Sequence, residues 1–278
     1  MILVTGATGN VGAPTVRKLL ERGADVRVFV RDKGRLGEVA EKVDVVVGDF
    51  ADKTALRKAM RGIKRLYLHA LGDENDEIAA ALAAARDEGV AHVVHLSSLS
   101  ASMPGPAAAK WFLGRESLVA DAGFQWTMLR PGFFMSNVMR WLPAIREQGV
   151  VRWIPGRFAP VDTRDVGAVA AAALTEPGHE GKVYDLTGPD VMDSKMQVEI
   201  ISDVLGRPVG FEEISPDDVI NGLRATGAPE ARIEFARAVA ESMASDQWPV
   251  VTNTVEELTG QRPCTFRQWC IDHVADFK

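Results

Sequence analysis

The sequence predicts an α/β fold: a doubly wound parallel sheet followed by a smaller, mostly helical C-terminal lobe. Three observations support this prediction. Strand and helix patterns alternate along most of the chain, several strand candidates are nearly continuous apolar runs, and a glycine-rich turn joins the first strand to the first helix. Continuous apolar runs are typical of parallel strands that helices cover on both faces. A repeated strand–helix order favours right-handed crossovers within one sheet.

The first part of the chain supplies the strands and helices of this sheet. The strand candidates, in chain order, are Ile2–Thr5, Asp25–Val30, Val43–Val47, Arg65–Leu68, His92–Leu96 and Trp126–Leu129. Apolar residues at helical spacing predict the intervening helices at Val11–Arg22, Lys53–Met60, Glu77–Glu88 and Ala107–Ala122.

The chain changes character after Arg130-Pro131-Gly132. The patterns predict helices at Met135–Gln148 and Arg164–Leu174, the second capped by Asp162 or Thr163, and a returning strand at Val183–Leu186. From Gly188 onward the chain is more polar and mostly helical. We therefore predict a Rossmann-type domain over residues 1–187, with part of 133–160 lining a ligand pocket, and a smaller lobe over residues 188–278.

Composition narrows the function classes. The chain has 278 residues, a formal net charge of −6 and two cysteines, Cys264 and Cys270. This charge favours neither nucleic acid nor an anionic membrane as a partner, and no apolar run reaches the length that spans a bilayer. The cysteines exclude a disulfide framework, and no His/Cys set has zinc spacing, so we expect no metal. Residues 1–20 lack the features of a signal peptide, and we expect a reduced, cytoplasmic protein.

The turn Thr5-Gly6-Ala7-Thr8-Gly9-Asn10-Val11-Gly12 predicts a dinucleotide site. Gly6 allows the tight turn, Gly9 lets a pyrophosphate approach the backbone, and Gly12 allows close packing of helix and strand. The amides at the start of the following helix then face the phosphates.

The end of the second strand, Val30-Arg31-Asp32, bears on the choice of dinucleotide. An aspartate at this position binds the ribose 2′-hydroxyl of NAD, whereas an arginine pairs with the 2′-phosphate of NADP. Arg31 comes directly off the strand, and Lys33 and Arg35 add positive charge nearby. We therefore favour NADP(H), with NAD still open. The alternative is that these are ordinary solvated charges.

Three other strand ends carry polar candidates with two interpretations each. Asp49, in Gly48-Asp49-Phe50, either accepts from the adenine amino group or caps the helix that begins near Lys53. His69 either donates a proton or has a structural role. Ser98, at the end of the fifth strand, either hydrogen-bonds a substrate carbonyl or caps a turn.

Four further segments belong to the same pattern: Thr127-Met128-Leu129-Arg130-Pro131-Gly132-Phe133, Asp165–Val169, Leu186–Pro189 and Pro263–Trp269. Together with the residues above, they resemble the atypical short-chain dehydrogenase/reductases, and more narrowly their NmrA-like and NAD(P)H:quinone-oxidoreductase-like subgroup. The resemblance covers nearly the whole chain. It implies NAD(P) bound along Gly6, Thr8, Gly9, Asn10, Val11, Gly12, Arg31, Asp49 and Phe50. It also implies contacts from the fourth and fifth strand ends, at His69, Ala70, Leu71, Leu96 and Ser97, and from Pro131 and Phe133.

The resemblance places substrate between the nicotinamide and the C-terminal lobe. Candidate walls are Phe133, Phe134, Asn137, Trp141 and Trp153. The alternative for each of them is an ordinary place in the core.

The sequence departs from the usual short-chain pattern at the catalytic helix. Those enzymes carry Tyr-x-x-x-Lys on the helix after the fifth strand, and here that helix reads Lys110-Trp111-Phe112-Leu113-Gly114-Arg115-Glu116. The two tyrosines, Tyr67 and Tyr184, lie elsewhere, so the usual general acid is missing. Ser98 and Lys110 remain as catalytic candidates, and Lys110 is equally consistent with a surface lysine.

These observations favour an NAD(P)H-dependent oxidoreductase acting on a small aromatic molecule. A quinone needs less proton assistance than a ketone, because its reduced product is a stabilised phenolate. A quinone or polycyclic aromatic, including polyketide-type compounds, is therefore the expected substrate. Two alternatives stay open: a non-catalytic NAD(P)-binding regulator of NmrA type, and a tailoring enzyme that assists oxygenation of an aromatic substrate. A sugar-nucleotide epimerase is disfavoured because its chemistry uses the same absent tyrosine. The sequence does not indicate an oligomeric state.

Overall fold

The computed structural model describes residues 1–69, 75–103, 107–244 and 250–278. The strands in these ranges are β1 (Ile2–Thr5), β2 (Val26–Val30), β3 (Asp44–Val47), β4 (Arg65–Leu68), β5 (His92–Leu96), β6 (Gln125–Pro131), β7 (Val150–Trp153), β8 (Arg157–Phe158), β9 (Lys182–Leu186), β10 (Met192–Asp193) and β11 (Gly210–Glu213).

The helices in the same ranges are α1 (Gly12–Glu21), α2 (Lys53–Met60), α3 (Asp76–Asp87), α4 (Ala107–Ala120), α5 (Leu142–Glu147), α6 (Thr163–Thr175), α7 (Ser194–Leu205), α8 (Pro216–Ala225), α9 (Glu230–Ala244), α10 (Thr254–Thr259), α11 (Phe266–Asp272) and α12 (Val274–Phe277). Short 3-10 helices cover Lys33–Glu41, Leu99–Ser102 and Met135–Trp141. Within the described ranges, no helix is both long enough and apolar enough to cross a membrane.

The predicted doubly wound sheet is confirmed. Seven parallel strands lie in the order β3-β2-β1-β4-β5-β6-β9, so the chain reverses its direction of travel between β1 and β4. Leu3 of β1 is level with Arg27 of β2 on one side and with Leu66 of β4 on the other. Such a reversal opens a crevice at the carboxyl edge of the sheet.

Two apolar cores cover the two faces of the sheet. Leu3 points into the core beneath α2, α3 and α4, while its neighbour Val4 points into the core beneath α1 and α6. Both residues are fully buried. Successive residues of a strand face opposite sides, which explains why the buried strands are apolar at consecutive positions.

One predicted helix differs from the observed structure. The segment predicted as a single helix over Met135–Gln148 is a 3-10 helix, Met135–Trp141, followed by α5. Pro143 lies in the first turn of α5. Proline has no amide hydrogen and is tolerated there, where that hydrogen would have no helical partner. The proline therefore makes this point the beginning of a second helix.

The C-terminal lobe draws on two separate stretches of chain. β7 pairs with β11 and β8 pairs with β10, and a third core joins residues of the 135–151 stretch to Met192, Phe266 and Trp269. In contrast, Val255 of α10 is buried in the core beneath α1 and α6. The division of the chain at residue 187 stays a prediction. Residues before it pack in the core of the C-terminal lobe, and Val255 after it packs in a core of the sheet.

Candidate active site

The carboxyl ends of β1, β4, β5 and β6 lie side by side. The segments that follow these strands are the glycine-rich turn, His69, Ser97-Ser98 and Gly132-Phe133. The sheet order therefore brings together residues that the sequence separates by more than a hundred positions. In open α/β sheets, ligands bind at this edge.

The glycine-rich turn is tightly folded onto itself. Gly6 has a φ of +62°, which favours glycine, and the amide of Gly9 donates to the carbonyl oxygen of Gly6 at 2.9 Å. A Cβ atom on Gly12 would lie 2.1 Å from that same oxygen. Gly12 thus packs against the backbone of the turn, whereas the exposed Gly9 is the glycine open to a ligand.

The N-terminus of α1 has no side-chain cap. The amides of Ala13 and Thr15 bond to carbonyl oxygens of the turn, at Gly9 and Val11. Helices α2, α6 and α7, by comparison, begin with an aspartate whose carboxylate accepts from a first-turn amide. An uncapped helix start behind a glycine-rich turn suits a bound phosphate.

The two charged side chains at the end of β2 have different surroundings. Asp32 accepts a hydrogen bond from the amide of Gly34 at 2.8 Å and so caps the 3-10 helix that follows. Arg31, Lys33 and Arg35 are exposed, and in the described part of the chain none of them has an ion-pair partner. The segment after β2 thus carries three exposed cations that form no ion pair within the described ranges.

Two roles were considered for Asp49, a contact with adenine and the cap of α2, and the hydrogen bonds of the structure bear on the second. The cap of α2 is Asp52, which accepts from the amides of Thr54 and Ala55 at 3.0 Å. Asp49 holds the preceding turn, because its Oδ1 accepts from the amides of Ala51 and Asp52. Asp49 therefore does not cap α2, and its contact with adenine stays a prediction. Phe50 packs edge-on against Phe29, with ring centroids 5.9 Å apart.

His69 lies against the glycine-rich turn. Its amide donates to the Thr5 hydroxyl at 2.8 Å, and a Cβ on Gly6 would lie 3.0 Å from its ring. Burial, together with the positive charge of Arg115, lowers the pKa of His69 to about 4. The imidazole is therefore neutral at pH 7 and cannot serve there as a cationic acid. The neighbouring predictions, Ala70 and Leu71, lie outside the described residues.

Ser97 and Ser98 both have partners within the protein. The buried Ser97 hydroxyl donates to the carboxylate of Glu116. Ser98 Oγ accepts from the amide of Ser100 at 3.2 Å and caps the 3-10 helix Leu99–Ser102. The structure thus shows the cap considered for Ser98, and its contact with a substrate carbonyl stays a prediction. Leu96 is 9% exposed at the end of β5.

An ion pair next to Ser97 was not predicted from the sequence. Arg130 donates from Nε and Nη2 to the two carboxylate oxygens of Glu116, at 2.9 and 2.6 Å. Both side chains are mostly buried, at 16% and 8% exposure. Arg130 lies in the Leu-Arg-Pro-Gly run and Glu116 on α4, but nothing in either segment's sequence indicates the pairing. This pair joins α4 to the ends of β5 and β6.

The predicted Lys110 is placed on a different face of α4 from Glu116. Lys110 is exposed together with Leu113 and Ser117, whereas Arg115 and Glu116 are buried. Residues three and seven positions after Lys110 share its face. No hydrogen bond joins Lys110 to Ser98 among the described residues, and the catalytic roles of both stay predictions.

Both tyrosines lie away from α4. Tyr67 is fully buried in β4, and burial raises the pKa of its hydroxyl above its ordinary value. Tyr184 lies in β9, where its hydroxyl is 2.8 Å from Nδ1 of His179. Neither is placed to supply the proton that the usual catalytic tyrosine gives.

The predicted substrate walls divide into two groups. Phe133 and Trp153 pack in one cluster, which we call the bridging cluster; it comprises Leu99, Ile154, Phe158, Ala240 and Met243, with Met103, Phe133, Trp153, Ile214, Val219 and Val239 packed against them. Phe133 and Phe158 have ring centroids 4.6 Å apart. The cluster links the ends of β5 and β6 to α8 and α9 of the C-terminal lobe.

Two of the predicted walls, Trp141 and Phe134, pack against apolar cores. Trp141 is 6% exposed and packs in the core of the C-terminal lobe. Phe134 packs against the core beneath α1 and α6, where its backbone bridges to Val161. The structure thus shows the core positions considered for Phe134 and Trp141, and their contact with substrate stays a prediction. Asn137 is half-buried, and its contact with substrate stays a prediction.

Comparisons with known proteins agree with this geometry. A family model described as NAD(P)H-binding matches residues 6–177. The chain is 40% identical to the (4-alkanoyl-5-oxo-2,5-dihydrofuran-3-yl)methyl phosphate reductase of Streptomyces griseus, covering 100% of this chain and 99% of the relative. It is 31% identical to the NAD(P)H azoreductase of Xenophilus azovorans, again over 100% and 99% of the two chains.

A solved structure resembles the chain throughout its length. The NADPH-dependent quinone oxidoreductase QOR2 of Escherichia coli, in complex with NADPH, superposes with a TM-score of 0.87 at 25% identity, covering 99% of this chain and 100% of that one. The chain therefore belongs to the NAD(P)H-binding family, within the NmrA-like and quinone-oxidoreductase-like group of atypical short-chain dehydrogenase/reductases. It is an NAD(P)H-dependent oxidoreductase.

Proposed function

We propose that the protein uses NADPH to reduce a small conjugated, electron-poor acceptor, of which a quinone is the simplest representative. The observation that carries this proposal is the set of polar side chains on α4, which includes no tyrosine. Where short-chain enzymes place a tyrosine acid, this helix buries Arg115 and the ion-paired Glu116. The site therefore suits a substrate whose reduction does not depend on immediate protonation.

The chemistry of such acceptors explains the requirement. Hydride added to a simple ketone produces a localised alkoxide, and a general acid or oxyanion donor is worth roughly 10²–10⁴ in rate for that step. Hydride added to a quinone produces a phenolate, in which the ring delocalises the charge. Positioning the acceptor beside the nicotinamide then supplies most of the catalysis.

The substrates that the relatives' names give share this property. The Streptomyces relative reduces a furanone whose ring double bond is conjugated to carbonyl groups, the Xenophilus relative an azo compound, and the Escherichia coli relative a quinone. Each accepts hydride into a conjugated system. A polycyclic aromatic or polyketide-type quinone belongs to the same chemical class.

The charge distribution at the end of β2 supports NADPH over NADH. Asp32 accepts a hydrogen bond from the amide of Gly34, while Arg31 has no carboxylate partner within the described ranges. A guanidinium in this position suits a 2′-phosphate better than a 2′-hydroxyl. The structurally similar quinone oxidoreductase was solved with NADPH.

The proposal is tested by mixing the protein with NADPH and a panel of quinones, and following NADPH absorbance. We expect a quinone-dependent loss of NADPH. Tight NADPH binding without turnover of any quinone would reject the reductase and favour the non-catalytic, NmrA-type regulator. Consumption of O₂ coupled to an aromatic substrate would instead favour the oxygenation-assisting tailoring enzyme.

The dinucleotide preference is tested with Arg31→Ala. Losing a hydrogen bond to a charged group costs about 1.5–3 kcal/mol, so we expect the Kd for NADPH to rise by roughly 10- to 100-fold. The Kd for NADH should not change. Arg61→Ala is the matched control, because Arg61 is exposed at the opposite edge of the sheet, just before β4. Equal effects of Arg31→Ala on both dinucleotides would reject Arg31 as the phosphate ligand.

A further inference from the structure

We propose that Glu116 is a positioning residue for the nicotinamide half of the dinucleotide. It takes the hydrogen of the Ser97 hydroxyl, so that the Ser97 oxygen accepts a hydrogen bond from bound NADP(H). The donor on the ligand is either the carboxamide N–H or a hydroxyl of the nicotinamide ribose. This inference concerns the cofactor and does not depend on which acceptor the enzyme reduces.

Ser97 lies on the side of the crevice where the nicotinamide half is expected. The sheet order places β5 two strands from β1, on the opposite side of β1 from β2 and Arg31. A dinucleotide that crosses the glycine-rich turn with its adenosine end over β2 therefore extends its other end over β4 and β5. Two inter-strand spacings of about 4.8 Å separate β1 from β5. The ribose and the nicotinamide ring extend over a similar distance.

The strand register places Ser97 at the open end of these strands. His95 of β5 is level with Leu68 of β4. Ser97 therefore lies one residue beyond the level of His69, which packs against the glycine-rich turn. The amide of Ser97 donates to the carbonyl oxygen of Leu129 in β6 at 2.7 Å. These contacts fix Ser97 between the ends of β4 and β6, at the cofactor edge of the sheet.

The hydrogen bonds around Glu116 run in one direction. Arg130 donates from Nε and Nη2 to the two carboxylate oxygens of Glu116, at 2.9 and 2.6 Å, and from Nη1 to the Ser102 hydroxyl at 2.9 Å. Ser102 donates its own hydrogen to Asp185 at 2.8 Å. An ionised carboxylate only accepts, so Glu116 takes a hydrogen from Ser97 and cannot return one. The single hydrogen of the Ser97 hydroxyl therefore points to Glu116.

The Ser97 oxygen keeps only the capacity to accept. A hydroxyl has one hydrogen and two lone pairs, and in the described part of the chain no group donates to this oxygen. A ligand that faces it must therefore supply the hydrogen. The carboxamide N–H and the ribose hydroxyls of the nicotinamide half are such donors, whereas a quinone carbonyl is not. Glu116 and Arg130 are mostly buried, so water competes little with the contact that orients Ser97.

The experiment measures the Kd of three ligands by isothermal titration calorimetry. They are NADP⁺, its 3-acetylpyridine analogue, which lacks the carboxamide N–H, and adenosine 2′,5′-bisphosphate, which lacks the nicotinamide riboside. Ser97→Ala removes the acceptor and keeps the pair of Glu116 with Arg130. We expect it to raise the Kd for NADP⁺ by roughly 2- to 10-fold and to leave the Kd for adenosine 2′,5′-bisphosphate unchanged.

The acetylpyridine analogue identifies the donor on the ligand. If Ser97→Ala weakens the binding of the analogue as much as that of NADP⁺, a ribose hydroxyl is the donor. If it weakens the binding of NADP⁺ alone, the carboxamide N–H is the donor. Either result supports an acceptor at Ser97.

A double variant tests whether Glu116 acts through Ser97. Glu116→Gln should raise the Kd for NADP⁺ within the same range, because a glutamine amide can donate to the Ser97 oxygen and turn its hydrogen towards the ligand. Adding Glu116→Gln to Ser97→Ala should cause no further loss, since the group that Glu116 orients is already absent. Where circular dichroism shows that Glu116→Gln is unfolded, Arg130→Lys replaces it, because lysine keeps the charge but cannot make both parallel hydrogen bonds to the carboxylate.

Ser117→Ala is the matched control, because Ser117 follows Glu116 on α4 but is exposed. It should bind all three ligands as the wild type does. The inference is overturned if Ser97→Ala leaves NADP⁺ binding unchanged or weakens all three ligands equally. The role of Glu116 is rejected if its substitution weakens NADP⁺ binding further in the absence of the Ser97 hydroxyl. No acceptor is present in these titrations, so a failure to reduce quinones would reject the proposed function and leave this inference standing.

Discussion

Replacing Gly12 by alanine tests whether close packing of the glycine-rich turn is what creates the dinucleotide site. The added Cβ would lie 2.1 Å from the Gly6 carbonyl oxygen and 2.7 Å from its carbon, whereas ordinary contacts begin at 3.4 Å. Both contacts are with backbone, so no flexible side chain can move aside. The turn and the start of α1 would have to separate by roughly 1 Å, at a cost of about 1–3 kcal/mol for overpacking.

That displacement moves the amides that would face the pyrophosphate. Each hydrogen bond to a charged group is worth about 1.5–3 kcal/mol, and about 1.4 kcal/mol is a tenfold change in affinity. Loss of one such bond therefore raises the Kd for NADPH by at least roughly tenfold, and loss of two by roughly a hundredfold or more. The Kd is measured by NADPH fluorescence on protein shown by circular dichroism to be folded.

Gly114→Ala is the matched control. Gly114 lies within α4, and a Cβ there would meet nothing within 4 Å. Alanine in a helix interior is about 0.5–1 kcal/mol more favourable than glycine. We expect this variant to bind NADPH normally and to unfold at slightly higher urea concentration. Wild-type affinity in folded Gly12→Ala would refute the reasoning about the turn.

Three further predictions concern stability and are measured by urea unfolding. A Cβ on Gly167 would lie 2.8 Å from α1, so Gly167→Ala should cost about 1–3 kcal/mol; a wild-type midpoint would show that the two helices can separate freely. Burial lowers the pKa of His69 and of His95 to about 4 from 6.5. The unfolded chain then binds more protons in this interval, so stability is lost as pH falls from 6.5 towards 4, by up to about 1.4 kcal/mol per pH unit for each histidine. His95→Gln should reduce that slope, and an unchanged slope would contradict the assignment. Arg130→Met leaves Glu116 as an unpaired buried charge and should cost about 3–5 kcal/mol, whereas adding Glu116→Met should recover much of the loss; equal midpoints for the single and double variants would contradict the pairing.

Prediction from sequence succeeded where local chemistry and periodicity decide the structure. The bounds of β1, β4, β5 and α2 agree with the predicted ones, because each apolar run is bounded by residues that end or cap it. The helix predicted over Met135–Gln148 failed because periodicity continues across Pro143 while helical hydrogen bonding does not. Apolar side chains at helical spacing predict one continuous helix, but the missing amide hydrogen of Pro143 favours the start of a new helix there.

The site was predicted less completely than the fold. The sequence placed Arg31, His69 and Ser98 at strand ends, which the parallel sheet carries to one edge. It left open whether Asp49 caps α2, because only the geometry of the turn shows that Asp52 accepts from the first-turn amides of that helix. It also left a wall and a core position open for both Trp141 and Trp153, and only the structure shows Trp141 in a core and Trp153 in the bridging cluster.

By itself, the sequence determined a doubly wound α/β fold with a dinucleotide site, since a strand, a glycine-rich turn and a helix are consecutive along the chain. Only the tertiary structure decided what surrounds that site. The pairing of Glu116 with Arg130 and the contact of Arg140 with Trp153 join different elements of the fold. Such contacts depend on how helices and strands pack in three dimensions, and no local pattern of residues encodes their distance or their burial.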